Sequence, residues 1–291
     1  MYPLAAMSTC IYSFFVYVLN PNFFDALVNK RDLTVLYSCV PLALGVVAVQ
    51  IIHEVAHYLV AKRKKIKIGP PVPIPSFHIV SFPFFGCITP LRSFPPNRAA
   101  LLDFALSGPM AALAVSLGLV FGGVLLTSRA SALDIARFPV MSVASMKSSF
   151  LLGSILSWLL PKTMMLPLAQ PIPMHPFFVV GTSGMLSSAL NLLPISRLDG
   201  GRACFAAMGQ RQGAVISAFT ILWILSTVLS GGASSVLLSW TVLIALFQMR
   251  LEIPCRDECT EVGGKRLWLW LVSFLLSMSI LMPFPKSGAG V

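Results

Sequence analysis

His53, Glu54 and His57 belong to the pentapeptide His53-Glu54-Val55-Ala56-His57, which lies inside an apolar run from Val40 to Ala61. On an α-helix, residues four apart share a face and stand about 6 Å apart along the axis, so both imidazoles reach one metal ion with Glu54 beside it. That set suits metal-assisted hydrolysis: two nitrogen ligands, and a carboxylate placed to act as general base on water. The plain alternative is a chance pattern, a buried histidine pair with a spectator carboxylate. The setting weighs against it, because a charged side chain at membrane depth costs about 2.5 kcal/mol or more and by default marks function.

A second constellation is Asn191-Leu192-Leu193-Pro194-Ile195-Ser196-Arg197-Leu198-Asp199-Gly200-Gly201-Arg202. Alone, Asp-Gly reads as an interfacial turn. Beside the histidine motif it reads differently, since a catalytic zinc takes three protein ligands and an open position, and His53 and His57 supply two. Asp199 follows a helix breaker, Pro194, and precedes glycines that permit close backbone approach, which makes it the best candidate for the third ligand. Glu54 is then the general base. Asn191, a neutral amide on the same segment, is a candidate for hydrogen bonding to substrate backbone or a developing oxyanion.

The elements that must position these residues are membrane spans. Hydrophobic residues make up 56% of the chain and charged ones only 11%, against about 25% charged in an average soluble domain. Apolar runs at about 3–19, 33–61, 101–127, 140–160, 177–193, 214–229, 233–247 and 267–282 give an all-α polytopic protein of seven or eight transmembrane helices. No repeat is visible, so residues 1–291 form a single membrane domain. Lys62, Arg63, Lys64, Lys65, Lys67, Arg197, Arg202, Arg211, Arg250, Lys265 and Arg266 cluster at the ends of these runs. Such clusters mark the retained, headgroup-facing side of a membrane protein, so the excess of basic residues implies a lipid bilayer as partner and no nucleic acid. Lys62 follows His57 by five residues, about 7.5 Å of helix, which sets the metal a short way below the basic face.

Gly69-Pro70-Pro71-Val72-Pro73-Ile74-Pro75 cannot be helical, because its prolines lack donors and fix φ. With the apolar stretch 77–90 it reads as an extended or hairpin element dipping toward the metal, either offering an edge to an unwound substrate or merely shielding the site. Cys255 and Cys259, four apart in the last polar loop, are read as ordinary reduced thiols rather than a redox or metal pair. No cleavable leader is legible at the start, so either the first span serves as insertion signal or the sequence is a mature or truncated form.

The chain resembles the site-2 protease family of intramembrane zinc metalloproteases. The resemblance rests on His53 to His57, on Ser107-Gly108-Pro109, and on Asn191-x-x-Pro194 followed by Leu198-Asp199-Gly200-Gly201-Arg202, in that order. It implies a core of three transmembrane helices over about 33–208, with additional helices within 1–32 and 212–285; His53, His57 and Asp199 as zinc ligands; Glu54 as catalytic acid/base; and a membrane-protein substrate. Pro73-Ile74-Pro75-Ser76, Gly86-Cys87-Ile88-Thr89, Met174-His175-Pro176 and the loop 254–262 are similar to the plastid and cyanobacterial branch, the ethylene-dependent gravitropism-deficient and yellow-green proteins. That likeness implies a plastid membrane, and the long soluble N-terminal region of the plant members is missing here. His175 is read as a structural hydrogen-bonding residue. The rival readings are a metal-ion or proton-coupled transporter, which the lack of an inverted repeat disfavours, and an inactive membrane scaffold.

Overall fold

Residues 39–64 form the helix that carries the histidine motif, and its sequence explains both its ends and its inner face. Pro41 sits in the first turn, where its missing N–H is no loss; Lys65 closes the helix in the left-handed region at φ 58°, and the Ile66 amide donates back to the Ala61 carbonyl at 2.9 Å. Lys62, Arg63 and Lys64 in the last turn complement the negative end of the helix dipole. The buried residues are Leu42, Val46, Val49, His53, His57 and Ala61, a stripe at steps of three and four. Both histidines therefore continue the row of aliphatic residues that packs inward. The opposite face carries exposed Leu44, Val47, Ile51, Val55 and Leu59; Leu44 and Leu59 suit lipid rather than water, while Val47, Ile51 and Val55 line a cavity shared with Gly69, Pro71 and Cys87.

The computed structural model describes residues 1–76, 82–229, 240–242, 244 and 252–285. Among these the protein is mostly helical: α1 (Tyr2–Val18), α2 (Pro21–Phe24), α3 (Cys39–Lys64), α4 (Arg98–Arg129), α5 (Ala132–Ile135), α6 (Val143–Met146), α7 (Phe150–Leu159), α8 (Pro161–Met164), α9 (Pro176–Asn191), α10 (Asp199–Met208), α11 (Gln210–Leu229) and α12 (Gly264–Leu281). Strand β1 (Val72–Pro75) pairs antiparallel with β2 (Phe84–Ile88), with Val72 opposite Ile88 and a register shift between Pro73 and Pro75; β3 (Val140–Ser142) pairs antiparallel with β4 (Pro171–Pro173).

α3, α4 and α9 pack on one another. Leu42, Val46 and Val49 of α3 meet Ala112 of α4, Val179 and Val180 of α9, and Tyr12 and Val16 of α1. Lower down, Ala61 packs with Leu101, Leu102, Phe104 and Ala105 of α4, Ala203 and Ala206 of α10, and Cys255 and Val262 of the late loop. Polar ties fix one end of the bundle. Asp103 accepts from Lys64 at 2.6 Å and from Arg266 at 2.8 Å, joining the end of α3 and the starts of α4 and α12. Arg98 donates to the carbonyls of Ala206 and Ala207 at 2.8 Å each, bringing the end of α10 to the same place.

Among the described residues three helical stretches are long and apolar enough to cross a membrane: Leu33–Lys64, Arg98–Arg129 and Gly264–Leu281. A fourth results if Tyr2–Val18 and Pro21–Asn29, bent by 104°, count as one span. The run 140–160, which the sequence suggests as a span, is not one helix. It holds β3, the single turn α6 and the ten-residue α7, about 15 Å where the bilayer core needs about 30 Å. Ser142 and Ser149 are the reason, because each hydroxyl accepts from a backbone amide three residues on, at 3.2 Å, and so starts a new helix. α9 has 16 residues and is ended by Pro194. The apolar run 233–247 lies outside the described residues except for 240–242 and 244.

His175 caps α9: its ring Nδ1 accepts from the Phe177 amide at 3.2 Å, the structural role expected of it. Cys255 and Cys259 are free thiols, and burial pushes Cys255 up to about 12.

Candidate metal centre

Four separate segments meet around the histidine motif. α3 supplies His53 and His57, one turn apart on its buried stripe. α4 crosses them at Gly108, where even a methyl group has no room: a Cβ there would stand 2.8 Å from His53 Cδ2 and closer still to His57 Nε2. After α9 the chain turns through Pro194 and Ser196, the latter at φ 42°, and enters α10 with Asp199 in its first turn. Gly200 and Gly201 make that entry possible, since a Cβ on either would run into the carbonyls of Leu192, Leu193, Ile195 or Ser196. The last segment is 252–262, which brings Glu252.

The donor atoms converge. His53 Nε2 and His57 Nε2 are 3.0 Å apart, and Asp199 Oδ2 is 3.2 Å from each. The two histidines are 1% exposed and Asp199 5%. His57 Nδ1 is 2.9 Å from the Phe104 carbonyl, which can only accept; Nδ1 therefore carries the proton and Nε2 presents a lone pair to the cluster. Ser107 Oγ donates to the same carbonyl at 2.7 Å. Two imidazole nitrogens and a carboxylate oxygen in so small a triangle fit one cation between them: ligands about 2.0–2.1 Å from a tetrahedral zinc stand roughly 3.3–3.4 Å from one another. Charge agrees. Asp199 and Glu252 pair with Arg202, and Glu54 stands 4.0 Å from His53, a formal sum of −2 with neutral histidines that a divalent ion brings to zero. The group is positioned to hold a metal ion.

Glu54 stands beside the triangle rather than in it. Its Oε1 is 4.0 Å from His53 Nε2 and accepts from Gln50 Nε2 at 3.0 Å; its Oε2 accepts from the Thr89 hydroxyl at 2.5 Å. A cavity of about 800 Å³ between α1, α3 and the β1–β2 pair reaches this carboxylate, lined by Gln50, Glu54, Thr89 and Cys87 among mostly apolar neighbours. Asn191 is 1% exposed and lies against β2, its Nδ2 donating to the carbonyls of Ser187 at 3.1 Å and Phe85 at 3.4 Å. No described contact joins it to the triangle.

Sequence patterning assigns no site role to Thr89, Gln50, Phe104 or Glu252, and it places Arg202 among the headgroup-facing basic residues, whereas Arg202 is 1% exposed and paired with Asp199 and Glu252. Gln50 has a legible signal, four residues before Glu54 on one helix face, and so has Arg202, three after Asp199. Thr89 and Phe104 reach the site only through tertiary packing.

Fold and site together define a mostly helical protein with a buried His-His-Asp cluster, an adjacent carboxylate and several stretches apolar enough to cross a membrane. The model of Peptidase family M50 matches residues 41–231, and the chain belongs to that family. It is 32% identical over 252 residues to the "Probable zinc metalloprotease EGY1, chloroplastic" of Oryza sativa subsp. japonica, covering 84% of this chain and 41% of the relative. It is likewise 32% identical over 272 residues to the Arabidopsis thaliana protein of that name, covering 92% and 47%. To the "Probable zinc metalloprotease EGY2, chloroplastic" of Arabidopsis thaliana it is 29% identical over 266 residues, covering 91% and 46%. The chain thus spans less than half the length of these relatives. No solved structure matches it.

Proposed function

We propose that this chain is a membrane-embedded zinc metalloprotease domain that hydrolyses peptide bonds in or near transmembrane segments of other membrane proteins, in a plastid membrane. The observation that carries the reading is the buried triangle of His53, His57 and Asp199 with Glu54 4.0 Å away, set in an apolar helix bundle. Membership of Peptidase family M50 gives the reaction class, and the names of the relatives supply zinc and the chloroplast.

His53 and His57 through Nε2 and Asp199 through Oδ2 hold the zinc. When bound, zinc supplies a Lewis acid that brings water into ionisation range near neutral pH. Glu54 takes a proton from the attacking water and returns it to the departing amide nitrogen, so that one water is divided across the broken C–N bond. Gln50 and Thr89 keep both oxygens of that carboxylate aimed. The Phe104 carbonyl holds the His57 ring in the required tautomer. Asn191, held against β2 by its bond to the Phe85 carbonyl, is the candidate to hydrogen-bond substrate backbone or a developing oxyanion.

A helical substrate cannot be cut while its amides are bonded within the helix. β1 and β2 act as a re-entrant hairpin beside Glu54 that receives the unwound segment as an added strand. With 140–160 excluded, the seven remaining apolar runs cross the bilayer around the three-helix core of α3, α4 and α9, and residues 1–291 act as one domain.

Zinc stoichiometry combined with cleavage and flux assays tests the reading. A protease holds about one zinc per chain and cuts a transmembrane substrate; a carrier moves metal across vesicles, and a silent scaffold does neither. Asp199→Ala lowers zinc content and activity together, because two histidines alone make a weak site. Full zinc and full activity in that variant would rule out ligation by Asp199.

A further inference from the structure

Arg202 is among the largest fully buried side chains of the protein, 1% exposed, on the first turns of α10. Its Nε donates to Glu252 Oε2 at 2.6 Å, and Glu252 is itself only 7% exposed. Its Nη1 lies 3.6 Å from Asp199 Oδ1 and finds no hydrogen-bond partner among the described residues. Its Cζ stands 5.8 Å from the centre of the Phe104 ring, and the carbonyl of that same residue fixes His57. Asp199 is thus divided in use, with Oδ2 facing the two histidines and Oδ1 facing the guanidinium.

A carboxylate whose two oxygens were equivalent could rotate about χ2 and present either one, or both, to a metal. A fixed cation against Oδ1 removes that freedom, and an outer partner of this kind commonly governs the affinity of a metal site. Arginine suits the task better than lysine, because its planar, delocalised cation donates to Glu252 through Nε while keeping Nη1 in ion-pair range of Asp199 Oδ1 at 3.6 Å. Glu252 lies beyond residues 41–231, the stretch matched by the family model. Ile253 N also donates to Glu252 Oε1 at 3.0 Å, so the adjoining backbone orients the carboxylate.

We infer that Arg202 and Glu252 are positioning residues for the metal: Glu252 holds Arg202, and Arg202 holds Asp199 so that a single oxygen, Oδ2, is offered to the ion. The C-terminal region is therefore part of the site rather than an accessory to it. This inference rests on Asp199 being the third ligand.

The competing explanation is that the ion pair only supports the fold. Removing one member of a buried pair destabilises strongly through the charge left behind, whereas replacing both with apolar residues of similar size is often harmless to stability. The informative variant is therefore Arg202→Met combined with Glu252→Leu in the full chain, purified in detergent. Zinc retention is read against a graded chelator series, and the visible spectrum of the cobalt-substituted protein reports coordination geometry. The expected result is a melting temperature of the metal-free protein near wild type, zinc affinity lower by about 10–100-fold, and altered cobalt bands. Affinity within twofold of wild type and unchanged bands would overturn the inference. Should the double variant fail to fold, Glu252→Gln and Arg202→Lys carry the test: each is expected to weaken zinc by about tenfold, and wild-type retention in both would overturn it. Asp199→Ala, measured in parallel, separates the two levels. If it loses zinc while the double variant keeps it, only the inference falls; if it keeps zinc, the ligand assignment falls and the inference with it.

Discussion

Replacing Gly108 with alanine sets two effects of opposite sign against each other. Within a helix, alanine is favoured over glycine by about 1 kcal/mol, and Gly108 lies well inside α4, so local propensity alone makes Gly108→Ala stabilising. Packing opposes this. The new methyl carbon would stand 2.5 Å from His57 Cδ2 and 2.8 Å from His53 Cδ2, below the 3.0 Å that real Cβ contacts respect. His57 cannot swing aside freely, because its Nδ1 is tied at 2.9 Å to the carbonyl of Phe104 on the same helix as Gly108. Backing α4 away by about 1 Å would carry the carbonyl with it and stretch that bond beyond hydrogen-bond range. Overpacking of this kind costs about 1–3 kcal/mol, so the sum is near zero to about 2 kcal/mol destabilising. The metal suffers more than the fold, since a working site tolerates only about 0.2 Å in its ligand distances. Gly108→Ala should therefore fold, melt within a few degrees of wild type, and retain less than about a tenth of its zinc after dialysis against a chelator. The assay is elemental analysis of purified protein beside thermal unfolding of the metal-free form. A variant that melts higher and keeps a full complement of zinc would refute the packing argument.

Thr89→Val removes the hydroxyl that donates to Glu54 Oε2 while keeping its volume; hydrogen bonds to charged groups are worth about 1.5–3 kcal/mol, so kcat should fall roughly tenfold or more with zinc unchanged. Unaltered kcat would show that Gln50 alone suffices to aim the carboxylate. Lys64 to Asp103 and Arg98 to Ala206 bring the ends of α3 and α10 to one end of the bundle, so Lys65→Cys and Gln210→Cys, in a background without native cysteines, should be labelled by a membrane-impermeant reagent from the same side. Labelling from opposite sides would contradict that arrangement.

The parts of this molecule legible in the sequence are those set by local period and by chemistry. The steps of three and four through Leu42, Val46, Val49, His53, His57 and Ala61 are enough to put both histidines on one buried stripe, because a helical period alone fixes which side chains share a face. Asp199 is legible because few acids lie near helix breakers in so apolar a chain. Span counting is less reliable, since hydropathy sums over 140–160 without registering that Ser142 and Ser149 each nucleate a new start. Thr89 and Phe104 are invisible because they act through a hydroxyl and a main-chain carbonyl that only tertiary packing delivers. Arg202 looks like one more interfacial basic residue, yet it is buried; its pairing with Glu252, 50 residues away, carries no local pattern.

In the proposed reaction Glu54 performs the proton transfers while His53, His57 and Asp199 would hold the metal. Its most direct test is Glu54→Gln, which keeps shape and hydrogen-bonding capacity but cannot take a proton. Purified variant should carry the same zinc per chain as wild type and cleave a transmembrane substrate at least about a hundredfold more slowly, the scale of general acid/base catalysis. Undiminished cleavage by the zinc-loaded variant would contradict the account.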